Sequence, residues 1–145
     1  MMFSKACEYG IRATIYIAEQ SHADKRVNLK DIAAEIGSPE AFTAKILQLL
    51  AKSEIIDSVK GPMGGFEIDR KKMNKFNLSH IVTAIDGNSV YTGCGLGLKE
   101  CSARQPCPVH DKFKKVRDDL KKMLESTTLL ELSLGLKNGL TFLKR

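Results

Sequence analysis

The chain has 145 residues, enough for one domain with a real core or for a small domain plus an extension. Lysines and arginines number 23 against 17 acidic residues, and the resulting charge of +6 permits an anionic partner such as nucleic acid without demonstrating one. No run of about 18 apolar residues is present, as a membrane span requires, and the start MMFSKACEYG lacks the pattern of a secretory leader, so the expectation is a cytoplasmic protein with no membrane partner.

Ser4 is placed to cap a first helix running to about residue 20, with Cys7, Ile11, Ile15 and Ala18 at helical spacing and Tyr9, Ala13, Tyr16 and Ile17 widening the apolar stripe. A helix so widely apolar must be covered on more than one side. Asn28 can then cap a short amphipathic helix carrying Leu29, Ile32, Ala33 and Ile36, which Gly37 ends. Ser38 and Pro39 restart the chain as cap and first helical residue, and the next helix is expected to carry Phe42, Ile46, Leu49 and Leu50 inward. Two short helices across a tight turn form a helix-turn-helix pattern.

Ile55, Ile56 and Val59 suggest a short strand, GPMGG a tight turn, and Phe66 with Ile68 a return strand, which makes a candidate wing. The basic run RKKMNK leads to a helix holding Leu78, Ile81, Val82 and Ile85, terminated by Gly87. Beyond the stretch that follows, Val109, Phe113, Val116, Leu120, Met123 and Thr127 step almost as a heptad seam, with charged residues including Lys112, Lys114, Lys115, Arg117 and Asp118 on the other faces. So narrow a stripe suits a partner helix, and a symmetric homodimer is the economical expectation. Thr128 and Glu131 have capping-box spacing ahead of Leu129 to Leu136, expected to fold back on the body.

The fold expected is therefore mainly α with a small β-hairpin wing: a winged helix-turn-helix at residues 1–86, a cysteine-rich sensor loop at 87–108, and a dimerisation helix with a C-terminal segment at 109–145. In such a unit the start of the second helix faces a major groove, which nominates Ser38, Glu40, Ala41, Thr43, Ala44, Lys45 and Gln48 as DNA-binding positions. Thr43, Lys45 and Gln48 are the ones able to reach bases or phosphates. Lys60 with the backbone amides of Gly64 and Gly65 would follow the sugar-phosphate chain or enter the minor groove. Local charge on this stretch is balanced, so the electrostatic footprint has to draw on Arg12, Arg70, Lys71 and Lys72.

Cys94, Cys101 and Cys107 crowd into fourteen residues, with His110 three positions further on. Soft thiolates and an imidazole on a glycine- and proline-containing loop are what a metal or iron-sulfur centre needs, because the ligands must converge on one point. The gaps of six, five and two residues favour an iron-sulfur cluster over zinc, whose ligand pairs usually lie two to four residues apart. A zinc site of three cysteines and one histidine, or a metal-free thiol sensor, is the alternative. Cys7, on the apolar face of the first helix, reads as a small hydrophobe. Neither a Ser-His-Asp arrangement, a phosphate loop, a nucleotide fingerprint nor a paired-carboxylate motif points to an enzyme.

The helix pair followed by SVKGPMGGFEI, and then CGLGLKECSARQPCPVHDKF leading into a long helix, closely resembles the IscR/NsrR (Rrf2-type) family of bacterial winged helix-turn-helix transcription regulators across essentially the whole chain. The resemblance implies a homodimer that binds a pseudo-palindromic double-stranded DNA operator as a repressor or activator. It also implies an iron-sulfur cluster held by Cys94, Cys101 and Cys107. In IscR-like members a histidine completes a 2Fe-2S site, and His110 occupies that place; in NsrR-like members an acidic residue of the partner subunit's first helix completes a 4Fe-4S site, and Glu8 is near that place. The step from Cys94 to Cys101 is one residue longer than in the IscR pattern, and Thr43 and Ala44 stand where leucine and a polar residue are expected.

Overall fold

The computed structural model describes residues 2–144. Its elements are α1 (Lys5–His22), α2 (Leu29–Ile36), α3 (Glu40–Lys52), β1 (Asp57–Val59), β2 (Gly65–Glu67), α4 (Arg70–Lys75), α5 (Leu78–Asp86), α6 (Ser89–Thr92), α7 (His110–Ser126) and α8 (Leu129–Lys137).

Local chemistry sets most of the boundaries. The Ser4, Asn28 and Thr128 side chains accept from Cys7, Asp31 and Glu131 amides, each cap contributing about 1 kcal/mol. Gly37 closes α2 in the left-handed region at φ 67°, and Asn77 and His80 form a reciprocal capping box at the start of α5. At the start of α3 the expected serine cap is absent: Pro39 is the N-cap, and Ser38 is nearly buried. The basic run read as a lead-in to α5 is itself helix α4, anchored by the fully buried Met73.

Helix α1 is the hub, with α2, α3, α4, α5, α8 and β2 all packed around it. Ile17, Ile32, Ile36, Ile46, Leu47, Leu50, Ile55, Ile56, Met73, Ile81, Leu124 and Leu129 are fully buried there, each worth about 1.5–3 kcal/mol of transfer free energy. On α3 the inward stripe is Thr43, Ile46, Leu47 and Leu50, rotated from the expected one, and Leu49 is 41% exposed. Ile55 and Ile56 are core residues preceding β1 rather than part of it.

The hairpin pairs antiparallel with Asp57 opposite Glu67 and Val59 opposite Gly65. Val27 forms an isolated bridge on the other side of β2, exchanging backbone hydrogen bonds with Phe66 at 3.1 and 2.8 Å. A Cβ on Gly65 would sit 2.7 Å from the Val27 carbonyl oxygen, so this strand crossing requires glycine. Leu78 N donates to Thr127 O and Leu129 N to Phe76 O, both at 3.1 Å, which ties the α7–α8 corner to the start of α5. The leucine-rich segment thus folds back on the body as α8, against α1.

Candidate functional site

Of the positions expected to face a groove, Glu40, Ala41, Lys45 and Gln48 are exposed on α3, and Ala44 is partly so. Thr43 requires correction. Its side chain is fully buried, and its hydroxyl donates to the Pro39 carbonyl at 2.9 Å, so it supports the first turn of the helix instead of facing a groove. Ser38 is likewise almost covered, with its hydroxyl turned to the same carbonyl at 3.5 Å.

The wing differs from expectation in the same way. Lys60 is exposed, but the Gly64 amide is already donated to Gly61 O at 2.9 Å within the turn, and Gly65 faces Val27. Pro62 and Met63 occupy the corners of that turn, and Met63 is 84% exposed at its tip. Arg26 braces the hairpin through Glu67 at 3.1 Å and Met63 O at 3.4 Å. Of the cations expected to widen the footprint, Arg70 binds Asp24 and the His22 carbonyl, Lys72 binds Asp57 and the Glu54 carbonyl, and Arg12 lies over the Tyr9 ring. Lys71 is exposed at the surface of α4.

The cysteine loop runs from Gly93, at the end of α6, to the start of α7. The chain turns at Cys94 through Gly97 N to Cys94 O at 3.0 Å, and Leu96 N donates to Cys94 Sγ at 3.4 Å. Hydrogen bonds from the Leu96 and Leu98 amides, then from the Cys107 side chain, hold the Cys94 thiol below its ordinary pKa against a partial desolvation cost. Across the loop, Cys101 Sγ lies 3.3 Å from His110 Nδ1, and the Phe113 ring covers Gly95 so closely that a Cβ there would meet it at 2.6 Å.

All four predicted ligands are thus on one loop and the first residue of α7, and the contact that joins two of them is Cys101 Sγ to His110 Nδ1. Among the described residues no set of three or more His, Cys, Asp or Glu side chains comes together as a metal site. The donor types fit an iron-sulfur or zinc centre, and of the four it is Cys101 and His110 that are brought into contact. Glu8 lies on α1 beside Lys5, 3.6 Å away. Cys7 is fully buried, and desolvation with the nearby Asp86 carboxylate pushes its pKa up to about 12, which keeps it a neutral apolar filler.

Sequence reading missed Arg117. Placed by periodicity on the charged outer surface of α7, it instead turns into the loop, where Nη2 donates to Cys101 Sγ at 3.0 Å and Nη1 to Gly93 O at 2.8 Å. The long helix itself leaves its seam open: Phe113, Val116 and Met123 are 36%, 62% and 45% exposed, while Leu120 and the buried Leu124 attach it to the body. No helix among the described residues is long and apolar enough to cross a membrane.

Comparison with known proteins follows the same outline. The family model described as Rrf2, iron-dependent transcriptional regulator, matches residues 3–133. A helix-turn-helix-type transcriptional regulator of Aquifex aeolicus is 31% identical over 134 residues, 91% of each chain. The regulator IscR of Erwinia tasmaniensis is 26% identical over 132 residues, covering 91% of this chain and 78% of the relative. Among solved structures, CymR, the global cysteine regulator of B. subtilis, superposes with a TM-score of 0.74 at 21% identity over 91% of this chain and 95% of that one. IscR of T. potens gives 0.73 at 20% identity over 95% and 90%. These structures share the winged-helix fold. The chain belongs to the Rrf2 family, whose members are DNA-binding transcriptional regulators and not enzymes.

Proposed function

We propose that the protein is a homodimeric regulator whose affinity for a pseudo-palindromic operator is set by an iron-sulfur cluster on the 94–110 segment. The observation that carries this reading is the Cys101–His110 contact on a segment that also bears Cys94 and Cys107, at the foot of a helix with an unpartnered apolar seam. Cys94, Cys101, Cys107 and His110 would hold the group, as a 2Fe-2S cluster in preference to 4Fe-4S, with Glu8 of the partner subunit the other candidate donor. When bound, such a cluster supplies a centre sensitive to oxidation, nitric oxide or iron supply.

The residues of this chain do the rest. Glu40, Ala41, Ala44, Lys45 and Gln48 present the major-groove surface, and Lys60 follows the phosphate chain. Two such heads must meet half-sites about 34–36 Å apart or a multiple of that spacing, so a small tilt of α7 changes affinity strongly. Three free, partly exposed thiols on one loop, with that of Cys94 held below its ordinary pKa by the Leu96 and Leu98 amides, support a second reading, in which peroxide oxidises two of them to a disulfide, itself being reduced to water, and the loop switches without a metal.

Iron and acid-labile sulfide measured after anaerobic purification test the choice: both present supports the cluster, and their joint absence leaves a zinc site or the thiol switch. Cys101→Ala is expected to abolish any visible cluster absorbance and to change operator affinity by about fivefold or more. An operator affinity unmoved by that substitution removes sensing from the account.

A further inference from the structure

Arg117 reaches three acceptors on two other segments at once. Its Nη2 donates to Cys101 Sγ at 3.0 Å, and its Nη1 donates to Gly93 O at 2.8 Å and to Tyr91 O at 3.4 Å. Gly93 in turn closes α6, its amide donating to Ser89 O at 2.8 Å. One side chain of α7 therefore binds the middle of the cysteine loop with one prong and the end of α6 with the other. The planar guanidinium presents its donors in a fixed fork, which a lysine ammonium does not reproduce.

This arrangement is only partly satisfied. The Nε of Arg117 is buried with no acceptor, so the guanidinium keeps its place through its two terminal nitrogens alone. The Cys101 sulfur is the acceptor that chemistry can alter: ligation, alkylation or oxidation changes its charge and its lone pairs, whereas the Gly93 and Tyr91 carbonyls stay as they are. Loss of the sulfur as acceptor would leave a second face of a partly buried cation unpaired, and the side chain, with the helix carrying it, would have to move to find another.

Resting on the reading of the loop as a sensor, we infer that Arg117 is the positioning residue through which the state of Cys101 sets the placement of α7 against α6, and so the operator affinity. The test is a double-mutant cycle on the full-length, reduced protein: wild type, Cys101→Ala, Arg117→Met and the pair. Affinity is measured at fixed salt on the tightest 30-base-pair duplex, recovered from random DNA by selection on the wild-type protein. Each single variant is expected to shift affinity about fivefold to 150-fold in the same direction, and the double variant by no more than the larger single shift.

Additive effects overturn the inference, as does an Arg117→Met protein that binds like wild type while Cys101→Ala does not. The slope of log affinity against log salt should be unchanged in Arg117→Met; a drop of about one would make Arg117 a phosphate contact and overturn the inference as well. An unchanged Cys101→Ala defeats the sensor reading itself, and this inference with it. Should Arg117→Met fail to fold by circular dichroism, Arg117→Lys carries the same cycle, because it keeps the charge and the stem while losing the fork.

Discussion

Replacing Val116 by aspartate tests whether the open seam of α7 is the dimer contact. Full burial of a valine side chain is worth about 1.5–3 kcal/mol. With 62% of Val116 still exposed in the single chain, about 1–2 kcal/mol per protomer remains to be gained on association. A twofold interface counts the position twice, so its loss costs about 2–4 kcal/mol, or roughly thirtyfold to several hundredfold in the dimer dissociation constant. Burying two carboxylates in the seam adds to that figure. The single chain should hardly notice, because α7 is attached to the body by Leu120 and Leu124, and exposed substitutions usually stay within about 0.5 kcal/mol. Sedimentation equilibrium reads the association and circular dichroism the fold. Lys115→Asp, altering a side chain 79% exposed on the charged face, is the control and should associate normally. A Val116→Asp protein that dimerises as tightly as wild type refutes the seam as the contact.

Three further outcomes follow from particular contacts. Thr43→Val removes the hydroxyl bond to Pro39 O, but that carbonyl still accepts the Thr43 amide at 2.9 Å, so a stability loss of about 1 kcal/mol or less in urea unfolding is expected, with operator affinity unchanged. A marked loss of affinity at unchanged fold would return Thr43 to the reading face. Gly64→Ala drives a Cβ to 2.1 Å from Val59 O, a backbone atom that cannot step aside, and overpacking of this kind costs about 1–3 kcal/mol. That corresponds to a fall of roughly 3–10 °C in Tm, together with weaker DNA binding, and an unchanged Tm would contradict the turn geometry. His22 Nε2 lies 2.8 Å from the buried Ser133 hydroxyl, which donates onward to Leu130 O, and desolvation with the Lys137 and Arg70 charges holds the His22 pKa below 6.5 against the opposing pull of Glu19. The folded protein therefore binds fewer protons than the unfolded chain as pH falls below 6.5, so this contribution to stability is complete above that value and lost beneath it. His22→Gln should flatten the slope of urea stability against pH in that window, and an undiminished slope would assign it elsewhere.

The parts of this fold that were readable along the chain are those decided within a few residues. Ser4, Asn28 and Thr128 cap helices because a short oxygen-bearing side chain meets an orphan amide two or three residues on, whatever the tertiary context. The rotation of α3 was not decided locally. Apolar residues at 42, 46, 47, 49 and 50 satisfy two adjacent helical stripes, and only packing against α1 and α5 selects the one containing Thr43 and Leu47 over the one containing Leu49. The same ambiguity put Thr43 on the DNA face. Likewise the basic residues Arg70 and Lys72 look available for phosphate until the fold brings Asp24 and Asp57 to them from distant segments.

The candidate sensor shows the same division at longer range. Ligand types and their crowding are visible in the sequence, but which thiol meets which partner depends on how a loop of thirteen residues between Gly93 and Cys107 closes, and on a long side chain reaching back sixteen positions from Arg117 to Cys101. That reach also indicates how a local event could become a global one. Arg117 holds the loop to α7; α7 is locked to α5 by packing and by the backbone bonds around Thr127 and Phe76; and α5 packs directly on α3, whose exposed start carries Lys45 and Gln48. Close-packed helices do not bend gradually but shift between discrete arrangements, so a guanidinium that loses its sulfur acceptor has a short, stiff route to α3, the helix proposed to meet DNA. A flexible loop joined to the body by solvent-exposed contacts alone would have no such route, however reactive its thiols.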